Sequence, residues 1–363
     1  MSACAWLETG LTMGMDSVDR IAVVLFNLGG PDSLAAVEPF LLNLFADPAI
    51  IGLPAPIRGL VAKLIARRRG PTARNIYARI GGSSPLLANT EAQAAALEQT
   101  LADVGEVGVF SCMRYWHPMS DAVAVAVKAF NPSRIILLPL YPQFSSTTTA
   151  SSLKAWQESA RRVGLAAPTN VICCYPTAPG FISAAAALVG RGLAEARASS
   201  GRGARVLFSA HGLPKKVISR GDPYEAQVRL TARAVATQLG LADDEWTVCF
   251  QSRVGPLKWI EPYTDDEIRR AGRDGVSIVL FPVAFVSEHS ETLVELDIDY
   301  RHLAEQSGVA CYVRVPTVST TPAFIGSLND LVRAALGAPE PVRSGIGTRL
   351  CAAADRCCIN QAA

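Results

Sequence analysis

A chain of 363 residues, half of them hydrophobic and carrying a net charge of only +2, is long enough for two ordinary domains of roughly 100–200 residues. It lacks the basic excess that a nucleic-acid-wrapping surface needs, so no nucleic-acid partner is expected. No window approaches the ~18 uninterrupted apolar residues of a membrane-spanning helix, and Met1 to Asp16 show neither the basic nor the apolar region of a secretory signal. The expected setting is the cytoplasm and the expected partner a small molecule. In that reducing setting the nine cysteines are not expected to form structural disulfides. Cys112, Cys173, Cys174, Cys249 and Cys311 lie in apolar runs, where a small buried thiol is the ordinary reading.

Eight short apolar runs rich in branched residues read as buried strands: 21–26, 107–111, 134–140, 170–174, 205–209, 247–251, 277–286 and 310–314. Longer Ala-rich or amphipathic stretches such as 88–103, 181–198 and 225–240 separate most of them. This alternation predicts parallel sheets with helical crossovers, the α/β class. The chain also repeats itself. V-L-F-N-L-G-G-P at the first strand matches V-L-F-S-A-H-G-L-P at the fifth, and I-I-L-L-P-L-Y-P at the third matches I-V-L-F-P-V-A-F at the seventh. Two similar halves follow, each a doubly wound unit of four strands. The expected division is an N-terminal extension 1–19, a first α/β domain 20–168 with an insert at 40–85, a second α/β domain 169–318, a C-terminal helix 319–336 and a cysteine-bearing tail 337–363.

The insert lies between the first two strands. Residues 48–69 are apolar but are interrupted by Arg58 and Lys63 and closed by Arg67, Arg68 and Arg69. A basic amphipathic stretch of this kind lies on an anionic membrane surface or forms an apolar lip over a pocket; an ordinary helix covering the core fits equally well.

In open α/β sheets, ligands bind beyond the carboxyl ends of the strands, and the polar motifs fall there. Arg114 and Tyr115 follow the second strand, Tyr141 and a hydroxyl-rich run the third, His211 the fifth, and an acidic stretch with His289 the seventh. Arg114 can pair with an acidic substrate group and Tyr115 can stack on a planar ring; a structural salt bridge is the equal alternative. The hydroxyl run could bind a carboxylate or phosphate, though such clusters usually serve as caps and turns. Gly29-Gly30-Pro31 is not a dinucleotide fingerprint, and there is no P-loop. Glu291, Glu295 and Asp299 recur at four-residue spacing, which on a helix places them along one face. Carboxylates so close repel one another unless cations or protons sit among them. A histidine with carboxylates and open positions suits ferrous iron, and His211 is the candidate base or ligand.

L-F-N-L-G-G-P-D-S-L, Y-A-R-I-G-G-S-S-P-L, R-Y-W-H-P, L-Y-P-Q-F-S-S-T-T-T, F-S-A-H-G-L-P, F-Q-S-R-V-G-P-L-K-W and S-E-H-S-E-T-L-V-E-L-D-I-D-Y occur in this order over about residues 20–335. Together they resemble the ferrochelatase family, which inserts ferrous iron into protoporphyrin IX as the last step of protoheme synthesis. The resemblance implies two Rossmann-like, doubly wound domains with four-stranded parallel sheets, and protoporphyrin IX and Fe2+ as substrates in the cleft between them. It implies His211 and Glu291 as the metal contact and His289 as a second active-site histidine. Glu291, Glu295 and Asp299 become a row conducting protons or iron, and Arg114, Tyr115 and Tyr141 the porphyrin-facing residues. Insertion of iron into coproporphyrin III, of cobalt into a related macrocycle, or simple carriage of heme or metal stay open beside it. The tail cysteines Cys351, Cys357 and Cys358 resemble the extension that holds a [2Fe–2S] cluster in some members. Such a cluster takes four thiolates, and the position of the family's internal fourth cysteine is Ser146 here. Cys4, Cys112, Cys173 and Cys174 remain as candidates, and a zinc site or a free tail as alternatives.

Overall fold

The computed structural model describes residues 19–352 and 355–360; the expected N-terminal extension lies almost wholly outside them. The first half runs β1 (Arg20–Asn27), α1 (Val37–Ala46), α2 (Ala55–Ala78), α3 (Leu86–Thr100), β2 (Glu106–Met113), α4 (Ser120–Phe130), β3 (Arg134–Pro139), α5 (Thr149–Val163) and β4 (Thr169–Cys174). Next come α6 (Pro179–Ser200), β5 (Ala204–His211), a single turn α7 (Lys215–Ile218), α8 (Tyr224–Leu239), β6 (Trp246–Gln251), α9 (Thr264–Asp274) and β7 (Ser277–Pro282). A π-helix (Glu291–Asp299) continues into α10 (Tyr300–Gln306), followed by β8 (Tyr312–Arg314), α11 (Pro322–Leu336) and β9 (Val342–Ser344).

The strands assemble into two sheets, ordered β2-β1-β3-β4-β9 and β6-β5-β7-β8, and every pairing is parallel. Parallel strands covered by helices on both faces read as continuous apolar runs; every residue of β7 is buried, as is every residue of β1 after Arg20. Crossover helices stop where the chain must reverse, α6 at Gly201 and α8 at Gly240, both left-handed, a conformation glycine adopts without a Cβ penalty.

Two details differ from the expectation. The first sheet has a fifth strand: β9 pairs with β4 through Val171–Val342, Ile172–Arg343 and, past a register shift, Cys174–Ser344. And β4, which a boundary at residue 168 assigns to the second half, is hydrogen-bonded to β3 in the first sheet. A single apolar cluster runs between the halves, joining Leu25 and Leu138 of the first sheet to Phe208 and Phe281 of the second through Phe181 of α6 and Phe324 of α11. Phe181 and Phe324 meet edge to face with centroids 5.9 Å apart, a favoured aromatic geometry. A shared interior of this kind fixes the relative placement of the two sheets, because separating them would expose these rings to water.

Among the described residues no helix is long and apolar enough to cross a membrane. The insert is helical: α2 buries Ala62, Ala66, Gly70 and Tyr77 on one side. On the other side Ile57, Leu60 and Leu64 are 52%, 70% and 58% exposed.

Candidate active site at the carboxyl edge of the second sheet

β5 lies between β6 and β7, so its last residue, His211, emerges at the middle of the sheet's carboxyl edge, with Gln251 of β6 beside it in register. The π-helix that follows β7 brings Glu291 over this edge, and His211 Nδ1 lies 2.8 Å from Glu291 Oε2. A carboxylate can only accept, so Nδ1 carries the proton and Nε2 is the free imidazole nitrogen. The His211 side chain keeps 39% of its surface open to solvent. Its backbone carbonyl accepts from the Tyr224 hydroxyl at 3.0 Å. A Cβ on the next residue, Gly212, would meet the Gln251 carbonyl at 2.9 Å, which explains the glycine.

Glu291 is held from two more directions. Gln251 Nε2 donates to Oε2 at 3.3 Å, its amide turned by Ser209 Oγ, which donates to the Gln251 carbonyl oxygen at 2.6 Å. Ser252 Oγ lies 3.1 Å from the same Oε2. Burial alone would raise the Glu291 pKa; the charge and hydrogen bond of His211, with His289 and Ser252, overcome it and hold the carboxyl down at about 2. Burial pulls His211 down, but the charge and hydrogen bond of Glu291, with Glu295 behind, outweigh it and the net shift is upward.

The acidic row is wound as a π-helix rather than an α-helix. Its i→i+5 bonding turns the chain less per residue than 3.6 residues per turn does, so four-residue spacing still keeps Glu291, Glu295 and Asp299 near one face. Ser252 links the first two: its backbone N–H donates to Glu295 Oε1 at 2.9 Å and its Oγ also touches Glu295 Oε2. Ser252 reaches both by adopting φ 62°, a left-handed conformation that costs a non-glycine residue about 1–2 kcal/mol. Tyr300 donates its hydroxyl to Glu295 at 3.1 Å. Burial and the neighbouring Glu291 charge raise the Glu295 pKa. Asp299 does not join this network: its carboxylate is paired with Arg79, at the end of α2, at 2.7 Å.

His289 sits beside the pair in a different role from His211. It is 8% exposed, and its Nδ1 accepts the backbone N–H of Glu291 at 3.0 Å and of Thr292 at 3.4 Å, capping the start of the π-helix. Burial lowers its pKa, in keeping with a neutral ring whose proton is on Nε2. Tyr77 of the insert reaches over to Ser290 at 3.4 Å.

The first half does not present Arg114 and Tyr115 as expected. Arg114 is paired with Asp47 at 2.7 Å and donates to Ser151 Oγ at 2.7 Å. Tyr115 is 1% exposed and donates its hydroxyl to Asp47 at 2.8 Å, so its ring has no free face on which a planar substrate could stack. Tyr141 packs against the core beneath the first sheet, and its hydroxyl is buried without a hydrogen-bond partner. The hydroxyl-rich run does bind a carboxylate, but the protein's own. Asp222 accepts from Ser145 Oγ at 3.0 Å and from the Ser146 N–H and Oγ at 2.7 and 2.6 Å.

Among the described residues no three His, Cys, Asp or Glu side chains are arranged to hold a metal ion; the iron contact read from sequence is the two-residue pair His211 and Glu291. The tail cysteines lie elsewhere, with Cys351 sharing a hydrogen-bond donor with Cys174. Sequence reasoning assigned no role to Ser252, Gln251, Asp47 or Arg79. For the first two the available signal was F-Q-S-R at the end of a strand whose neighbour carries His211.

A family model described as Ferrochelatase matches residues 20–336. A ferrochelatase of Caulobacter vibrioides (strain NA1000 / CB15N) is 53% identical over 342 residues, covering 93% of this chain and 97% of the relative. One of Rickettsia bellii (strain OSU 85-389) is 47% identical over 337 residues, 92% of each. Among solved structures, SirB from Bacillus subtilis with Fe3+ superposes with a TM-score of 0.50 at 12% identity, over 88% of this chain and 96% of that one. The sirohydrochlorin chelatase SirB from Bacillus subtilis subspecies spizizenii in complex with cobalt gives 0.51 at 10%, over 88% and 97%; at such identities the likeness concerns the fold. With the family's model spanning the two sheets and the π-helix, the chain belongs to the ferrochelatase family.

Proposed function

We propose that this chain inserts ferrous iron into protoporphyrin IX, releasing two protons and yielding protoheme. The single observation that carries this reading at the level of residues is the His211–Glu291 pair at the open carboxyl edge of the second sheet. Insertion removes two pyrrole N–H protons and strips water from the ion. His211 Nε2 accepts a pyrrole proton, and the fixed charge of Glu291 stabilises the imidazolium that forms. A nitrogen and a carboxylate oxygen suit ferrous iron, and only two protein contacts leave the ion free to pass on.

Ser252 connects this pair to the acidic row. Its one hydroxyl proton faces oxygens of both Glu291 and Glu295, and a hydroxyl can donate to only one of them at a time. A proton on Glu295 satisfies both contacts, Glu295 donating to Oγ while Oγ donates to Glu291. This arrangement supports an outward proton path from His211 through Glu291 and Ser252 to Glu295. Asp299, tied to Arg79, marks where the insert meets the end of the row.

Two finer parts of the reading concern the surroundings. The face of α2 formed by Ile57, Leu60 and Leu64, flanked by Arg58, Lys63 and Arg67 to Arg69, makes a peripheral contact with an anionic membrane. Co-sedimentation with anionic vesicles, lost in a Leu60→Glu/Leu64→Glu variant, is the corresponding test. Cys351, Cys357 and Cys358 hold an iron–sulfur cluster; thiolates are its usual ligands, and the three are free thiols on a tail pinned by β9.

The activity is tested by anaerobic incubation with Fe(II) and protoporphyrin IX, following loss of porphyrin fluorescence, with coproporphyrin III and Co(II) in parallel. His211→Ala is expected to fold and to lose insertion; near-wild-type turnover by that variant would contradict the assignment.

A further inference from the structure

We propose that Cys174, at the carboxyl end of β4, is the thiolate that completes the cluster with Cys351, Cys357 and Cys358, and that Gln227 of α8 positions it. This rests on the reading that the tail holds a cluster and names the ligand the tail itself lacks.

Three separate parts of the chain meet at this point. β9 pairs with β4, and the Gly345 N–H donates to the Cys174 carbonyl at 2.7 Å, so the tail leaves the sheet directly beside Cys174 and reaches Cys351 six residues later. Gln227 Nε2 then donates to both sulfurs, Cys174 at 3.5 Å and Cys351 at 3.3 Å. The orientation of this amide is not arbitrary, because its oxygen accepts the Phe144 N–H at 2.8 Å. Returning from the far side, the tail is fastened by the Cys357 N–H to the Gly221 carbonyl at 3.1 Å. Cys357 packs with Leu350 and Ile359 against Phe144, Cys173 and Cys174, and Cys358 is 3% exposed. Free thiols from β4 and the tail thus gather in one largely apolar place, with an amide donor directed at two of the sulfurs.

The other candidates fail on position. Cys112 is buried in a different core, 3.5 Å from Ser120, and Cys4 lies outside the described residues. Ser146 has a hydroxyl, already committed to Asp222. Cys173 is the close rival: its sulfur is 3.6 Å from that of Cys174, but Gln227 reaches Cys174. The thiols also do not close around one centre, as a tetrahedral zinc site requires. A binuclear cluster divides its four thiolates between two irons, and each thiol releases its proton to solvent on ligation.

The test is purification of the full chain under anaerobic conditions, with iron, acid-labile sulfide and the visible spectrum measured on the folded fraction from gel filtration. Wild type is expected to carry about two irons and two sulfides per chain. Cys174→Ser is expected to lose about nine-tenths of both while keeping the wild-type far-ultraviolet circular dichroism, and Cys173→Ser to keep most of them. Gln227→Leu is expected to retain the iron but shift the visible bands and the reduction potential, since hydrogen bonds to sulfur tune both. Full iron and sulfide in Cys174→Ser, or their loss in Cys173→Ser alone, overturns the assignment while leaving the cluster intact as a reading. Wild type without iron or sulfide after reconstitution overturns both.

Discussion

Replacing Asp47 by alanine tests whether Arg114 and Tyr115 are held by a structural anchor in the first half. Asp47 is 4% exposed. Its Oδ2 accepts from Arg114 at 2.7 Å, from the Tyr115 hydroxyl at 2.8 Å and from Ser151, and its Oδ1 accepts the Ala49 N–H at 2.8 Å. Truncation leaves the Tyr115 hydroxyl and the guanidinium without their acceptor. An unsatisfied buried polar group costs about 1–3 kcal/mol, and removing one partner of a buried ion pair costs about 3–5 kcal/mol. The Arg114 side chain keeps 19% of its surface exposed, so water recovers part of that cost and the expected loss lies near the lower bound, about 3 kcal/mol. Asp47→Asn retains an acceptor oxygen and should lose less, about 1–2 kcal/mol. Urea unfolding followed by circular dichroism measures both, and an Asp47→Ala/Arg114→Ala cycle should be less than additive, because the second truncation removes a group already stranded. A loss under about 1 kcal/mol for Asp47→Ala would refute the anchoring role and return Arg114 to the pool of groups available to substrate.

The His211–Glu291 pair makes a pH prediction. His211 is raised above 6.5, so its contribution is complete below 6.5 and is lost as pH rises through the folded value. Glu291 is held at about 2, so its contribution is complete above 4.5 and is lost as pH falls toward about 2. The stability difference between wild type and His211→Ala, from urea titrations across pH, should therefore be largest between 4.5 and 6.5, the two ordinary values; a difference that grows toward pH 9 has the wrong sign. Ser252→Ala and Ser252→Gly should both lower turnover about tenfold or more, the loss of a hydrogen bond to a charged group, and wild-type turnover in the glycine variant would show that only the backbone turn matters. A Cβ at Gly272 would lie 2.0 Å from the Ser307 carbonyl oxygen, so Gly272→Ala should cost about 1–3 kcal/mol in urea unfolding. Arg79→Ala breaks a half-exposed pair and should change stability by less than about 1 kcal/mol; a larger loss would mean that the insert depends on Asp299 for its fold.

The two-sheet architecture was legible because parallel strands buried on both faces leave unbroken apolar runs, and β1, β3, β5 and β7 are such runs. β9 was not: Val342-Arg343-Ser344 has no strand signature, and it is a strand only because β4 offers it an edge. The His211 motif and the acidic row could be read, since a histidine at a strand end and carboxylates at a fixed spacing carry their chemistry in their identity. Ser252 could not, because nothing in a serine announces φ 62°. Nor could Asp47, whose partners Arg114 and Tyr115 lie far along the chain; Arg114 and Tyr115 are as suited to a substrate as to each other, and only the position of α1's end decides.

That decision bears on how the iron site works. A resident metal is retained by three or four converging ligands, whereas here the convergence is spent on one carboxylate: Gln251, Ser252 and His211 all reach the same oxygen of Glu291. Three contacts on one oxygen stabilise its negative charge and leave Oε1 outside all of them. Glu291 is thereby kept ionised, while Glu295, buried next to it with its pKa raised, is poised to carry the proton that Glu291 cannot. Two carboxylates four residues apart are thus driven toward opposite protonation states by their surroundings, one suited to hold a cation and the other to take protons away. A metal-inserting site needs both at once, because the ion enters as the protons leave.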